Sequence, residues 1–96
     1  MTLTRFNIDA ERAARAERLA TFHAAWERHF RADVAANPAR YVNAGDADKL
    51  TRFVASMRVA LQTGKYGKDS ANFKAACKEL GIKHTYKAIN AYLDGL

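Results

Sequence analysis

Ten side chains in the second half of this chain could hold an anion or a nucleobase: Lys65, Tyr66, Lys68, Lys74, Lys78, Lys83, His84, Thr85, Lys87 and Asn90. The lysines are point charges that suit phosphate oxygens or an acidic protein surface, and their predominance over arginine here favours loose contacts over bidentate reading of base edges. In the loop Lys65-Tyr66-Gly67-Lys68 the cations flank an aromatic ring, a pattern that fits phosphate contact with base stacking and equally a solubilising connector. Lys74 and Lys78 stand four residues apart and share a helical face. Asn90 carries an amide of the kind that pairs with an adenine edge. Residues 49–96 hold nine Lys or Arg against three acids, while residues 1–48 hold seven against seven, so the whole net charge of +6 belongs to the second half. That asymmetry implies DNA or an acidic protein or nucleoprotein partner.

Catalytic constellations are poor. His23 and Glu27 share a helical face with His29 nearby, but no second ligand pair completes a zinc site, and a helix-surface or core-edge role is expected of them. The chain has no Gly-rich phosphate loop, nucleophile elbow or carboxylate pair in a recognisable context. Its basic half offers only Asp69, Glu79 and Asp94 as acids, where a metal-dependent nuclease needs a concentration of them. Cys77 is the single cysteine, which rules out an intrachain disulfide and a Cys-based metal site. The expectation is a non-enzymatic binder with no cofactor and no metal.

The elements that must position these groups read as helices. Ninety-six residues, 49% hydrophobic and 27% charged, suit one compact domain. No run of about 18 apolar residues could span a bilayer, and the start MTLTRFNIDAERAARAER lacks the apolar core of a secretory signal, so a cytoplasmic protein is expected. Pro38 and the glycines fall between four stretches of helical spacing, and no stretch alternates, so the expected fold is all-α with four helices. A long first helix, residues 7–36, is capped by Asn7 or Asp9, stopped by Asn37-Pro38, and striped by Leu19, Phe22, Trp26, Phe30 and Val34. Its N-terminal third has only alanine between charges, with Glu11–Arg15 and, further along the helix, Glu27–Arg31 as i,i+4 pairs. A helix about 45 Å long outruns the rest of the chain. A symmetric homodimer through residues 7–36 would cover it; the alternative is a solvated, Ala-rich helix.

The second helix, 46–63, is capped by Asp46 and ended by Gly64, with Leu50, Phe53, Val54, Met57 and Leu61 toward the core and Lys49, Arg52 and Ser56 opposite. Residues 70–94 form a terminal helical hairpin. Asp69 or Ser70 caps its first helix, striped by Phe73, Ala76, Cys77 and Leu80. Cys77 on that stripe reads as a packing residue. Gly81 and Ile82 make the turn, and Thr85 caps a last helix striped by Tyr86, Ile89 and Leu93.

Within that hairpin the segment FKAACKELGIKHTYKAINAYL resembles a DNA-binding helix-turn-helix: Cys77 is the small residue four places before Gly81, with Leu80 and Ile82 on either side. The family pattern then wants apolar residues where this chain has Lys87 and Asn90; its apolar positions are Ile89 and Leu93, which requires a rotated second helix or a longer turn. The resemblance implies that Lys83, His84, Thr85, Lys87 and Asn90 face the groove. The tail FKAACKELGIKHTYKAINAYLDG, about a quarter of the chain, is also similar to the C-terminal end of small phage and prophage proteins. That similarity implies a transcriptional regulator, or an inhibitor of a host factor such as a CRISPR effector or other nucleoprotein complex, in a bacterial or infected-host cytoplasm. The two functions to weigh are therefore DNA binding and a protein–protein inhibitory module.

Overall fold

Pro38 has no amide hydrogen to continue a helix, and the chain breaks there as that chemistry requires. The computed structural model describes residues 5–96. Its first helix, α1, spans Arg5–Ala36 and is followed by a 3-10 turn at Pro38–Arg40. Helix α2 spans Ala47–Thr63, α3 Ala71–Glu79 and α4 Tyr86–Asp94. Among the described residues there is no strand. The molecule measures 55 × 27 × 18 Å, and a 32-residue helix at about 1.5 Å per residue, about 48 Å long, accounts for most of its long dimension.

Local chemistry sets the ends of the short helices. Asp46, Ser70 and Thr85 each accept a hydrogen bond at the N-cap, from the amides of Lys49, Phe73 and Ala88. Of the two residues expected to cap α3, Ser70 does so. Gly81, at φ 68°, turns the chain after α3 so that the Gly81 amide reaches the Lys78 carbonyl and the Ile82 amide the Cys77 carbonyl. Such a paired C-terminal motif needs a left-handed residue, which glycine supplies without a Cβ clash. At the start of α1 the expectation fails: Asn7 and Asp9 lie inside the helix, which is already formed at Arg5.

Helix α1 is the spine. Its stripe of Leu19, Phe22, Trp26, Phe30 and Val34 is buried, and α2, α3 and α4 each pack their backbones on α1 more closely than on one another. Helix α2 runs back along α1 in the antiparallel sense: Leu50 shares a cleft with Val34, His23 Nε2 donates to the Val54 carbonyl at 2.7 Å, and Arg58 and Gln62 share a cleft with Arg12 and Arg15. Helix α3 is seated through Phe73 against Phe22, with ring centroids 5.0 Å apart, and through Glu79, which accepts from Arg28 and His29. Helix α4 is held at its end by Arg18, whose Nε donates to the Leu93 carbonyl at 2.9 Å, and by Arg15 on Asp94 at 3.2 Å.

This arrangement revises three details. Arg15 pairs with Asp94 and not with Glu11, whereas Glu27–Arg31 forms as an i,i+4 pair at 2.7 Å. Phe53, expected in the core, is 48% exposed: its ring lies 5.8 Å from Trp26 and 5.2 Å from Phe30 but lines an open groove; Tyr86 is 45% exposed at the first turn of α4. The stripe of α1 is covered by the chain's own helices. Residues 9–13 of α1 remain exposed.

Candidate polyanion-binding surface

The loop between α2 and α3 is stitched to the first turn of α4, and the stitches are several of the side chains expected to bind a partner. Tyr66 is the centre. Its ring is buried, stacks on Phe73 at 5.4 Å and lies 5.2 Å from the Tyr86 ring, while its hydroxyl donates to Asn90 Oδ1 at 2.9 Å. Burial pushes the Tyr66 phenol up to about 12, since removing the ring from water penalises the phenolate. Tyr86 donates its own hydroxyl to the Tyr66 carbonyl at 2.9 Å, and His84 Nε2 donates to the Lys68 carbonyl. Lys68 Nζ sits 5.3 Å over the Tyr86 ring and pairs with Asp69 at 2.9 Å. That ammonium holds the Asp69 carboxyl below its ordinary value. Thr85 spends its hydroxyl on the cap of α4.

The ten expected residues therefore divide by what their side chains do. Tyr66, Lys68, His84 and Asn90 join the loop to α4 and the turn before it, Thr85 caps α4, and the buried Tyr66 ring offers no free face to a base. The remaining five, Lys65, Lys74, Lys78, Lys83 and Lys87, are exposed, and among the described residues none of them forms an ion pair. Lys65 comes from the stitched loop, Lys83 and Lys87 from the turn and first turn that the loop touches. Lys74 lies in the first turn of α3, which begins directly after Asp69 and Ser70 of the loop. Lys78 lies one turn further along α3. In the terminal hairpin, Ile89 and Leu93 are buried while Lys87 and Asn90 are exposed. Helices α3 and α4 lean on α1 more than on each other.

The groups weighed for metal or catalytic chemistry stand apart. His23 is buried against α2, His29 bonds Glu79, and Glu27 pairs with Arg31. Among the described residues no three His, Cys, Asp or Glu side chains form a group able to hold a metal ion. Burial raises the Cys77 thiol above its ordinary value, as for a packing residue.

Two features had no clear signal in the sequence. Asp33 accepts from the Tyr41 hydroxyl, from Asn37 Nδ2 at 2.8 Å and from Arg40 at 3.4 Å, and Asn72 Nδ2 donates to the Tyr41 oxygen at 3.0 Å. The Tyr41 and Asn37 hydrogen bonds hold the Asp33 carboxyl below its ordinary value. Beside this network lies a groove of about 460 Å³ lined by Trp26, Phe30, Tyr41, Val42, Leu50, Phe53 and Met57, with Lys49 as its only charged lining residue. The sole hint was an asparagine, Asn72, next to Phe73 on the buried side of α3.

Among the described residues, no helix is long and apolar enough to cross a membrane. No protein-family model, curated protein or solved structure matches this chain.

Proposed function

We propose that the protein is a small, non-enzymatic, cytoplasmic binding protein that holds the phosphate backbone of DNA through Lys65, Lys74, Lys78, Lys83 and Lys87. One observation carries the reading: these ammonium groups are exposed and lack acidic partners among the described residues, and the Tyr66–Tyr86–Asn90 contacts join the segments that bear three of them. The groups that would read bases, Tyr66, His84 and Asn90, are engaged within the fold. Binding is therefore expected to be electrostatic and tolerant of sequence.

Fluorescence anisotropy of a labelled duplex across a salt series tests this. Each neutralised phosphate contributes about 0.9 to the slope of log affinity against log salt, so engagement of all five lysines gives a slope of about −4.5. Converting Lys74 and Lys78 to Gln lowers its magnitude by about 1.8. Absence of binding near 50 mM salt, or a slope that ignores the double substitution, overturns the proposal.

A second reading, a protein–protein module acting on a host nucleoprotein complex, draws on the half-exposed Phe53 and fully exposed Val42 at the aromatic groove. Affinity capture after nuclease treatment separates the two. One stoichiometric protein partner, lost on Phe53→Ser, favours the second reading over the first.

A further inference from the structure

Arg12 and Arg15 of α1 meet Arg58 and Gln62 of α2 around a cleft of about 200 Å³ whose remaining lining is Ala16 and Leu19. The register of the two antiparallel helices creates this cluster. Arg12 and Arg15 are i,i+3 neighbours on one helix, and Arg58 and Gln62 are i,i+4 neighbours on the other. Among the described residues, no acidic side chain lines the cleft. Arg15 is oriented by its Nε on Asp94 at 3.2 Å, which leaves its terminal nitrogens without an acceptor among the described residues. Arg12 and Arg58 form no ion pair there either.

Like charges gathered at a concave, partly apolar wall repel one another, and the wall limits how well water screens them. An oxyanion between them turns that repulsion into attraction. Guanidinium groups are the cations best shaped for this, since each presents paired N–H donors at the spacing of two phosphate oxygens, unlike the single ammonium of the lysines on α3 and α4. Gln62 adds a neutral amide donor. Glu11 and Asp94 line the adjoining cleft, which shares Arg12 and Arg15 with this one, while Arg58 and Gln62 line this cleft alone.

We propose that this cleft is a phosphate-binding site, with Arg12, Arg15 and Arg58 as the cationic ligands and Gln62 as a further donor. It is built from different residues than the lysine surface and does not depend on it. The phosphate could be free or part of a nucleic-acid backbone, and the test separates these sources.

The whole chain is titrated calorimetrically with inorganic phosphate at low chloride, and by anisotropy with a 20-base-pair duplex. Both are repeated with Arg58→Gln, Arg12→Gln/Arg58→Gln and Arg58→Lys. Arg12 and Arg58 are exposed, so the variants are expected to fold, which their thermal melts check. Arg58→Gln is expected to weaken binding about tenfold or more, with only part of the loss restored by Arg58→Lys, because lysine keeps the charge but not the fork. Loss in the phosphate titration assigns the site to free phosphate; loss confined to the duplex assigns it to the nucleic-acid backbone. The proposal fails if the double variant binds both probes as tightly as the unaltered chain, or if the unaltered chain binds neither. Lys74→Gln/Lys78→Gln, which lies outside the cleft, leaves phosphate affinity unchanged.

Discussion

Replacing Tyr66 tests whether the loop after α2 is part of the core or a free binding element. The ring is 7% exposed, stacks on Phe73 at 5.4 Å, and its hydroxyl donates to Asn90 at 2.9 Å. Truncating a buried aromatic side chain to alanine costs about 3 to 5 kcal/mol, through lost transfer energy and the cavity left behind. For a domain whose total stability is about 5 to 15 kcal/mol, Tyr66→Ala therefore removes a large part of it. Tyr66→Phe keeps the ring and loses only the hydrogen bond, about 1 kcal/mol or a fall in melting temperature of about 4 to 8 °C.

The same pair carries a pH signature. The phenol titrates at about 12 in the fold against an ordinary 10.0, so its contribution is fully present below pH 10 and lost as pH rises toward 12. That difference corresponds to about 3 kcal/mol, an upper bound for the alkaline limb. Urea unfolding followed by circular dichroism at pH 7, 10 and 11 measures both effects. The alkaline loss should be smaller in Tyr66→Phe than in the unaltered chain. Were Tyr66→Ala to unfold within about 0.5 kcal/mol of the unaltered protein, as an ordinary surface change does, the ring would be peripheral and the stitched loop would be wrong.

Other substitutions probe the remaining contacts. The Asp33 carboxyl is held below its ordinary 3.8 by Tyr41 and Asn37, so its contribution is fully present above that value and is lost as pH falls through the folded one. Asp33→Asn should be less stable at neutral pH and less sensitive to acid in a pH series of melts; an unchanged acid limb would refute this. Gly81→Ala places a Cβ in open space, so its cost is that of the left-handed backbone alone, about 1 kcal/mol by urea titration. Thr85→Ala removes the cap of α4 and should cost a similar amount, about 1 kcal/mol, while shifting the helix signal little. A neutral result at Thr85 would mean that the amide of Ala88 finds another acceptor.

The helices were legible because their signals are local. Asp46, Ser70 and Thr85 satisfy amides three residues away, Gly81 answers a backbone need at its own position, and the spacing from Leu19 to Val34 describes one side of one helix. The surplus of lysine in the second half was legible in the same limited sense, since charge is a property of composition. The roles of Tyr66, His84 and Asn90 were not. An aromatic ring between two lysines reads alike whether it faces water or Phe73, and only the path of the loop back toward α4 decides between them. Phe53 shows the opposite case: its helical spacing joins it to Val54 and Leu61, yet at 48% exposure it packs only one side on Trp26 and Phe30 and leaves the rest to an open groove.

From its residues alone, the chain determines an all-α fold, the ends of its short helices and a cationic second half, because capping, periodicity and charge act within a few residues. Tertiary structure decided which cations have acidic partners, which polar groups are consumed by the fold, and which distant residues meet. Arg12 and Arg58 are far apart in sequence and line the same cleft only through the antiparallel register of α1 and α2. That register follows from burying Trp26, Phe30, Val54 and Leu61 together, a non-local packing constraint that no short window of sequence contains.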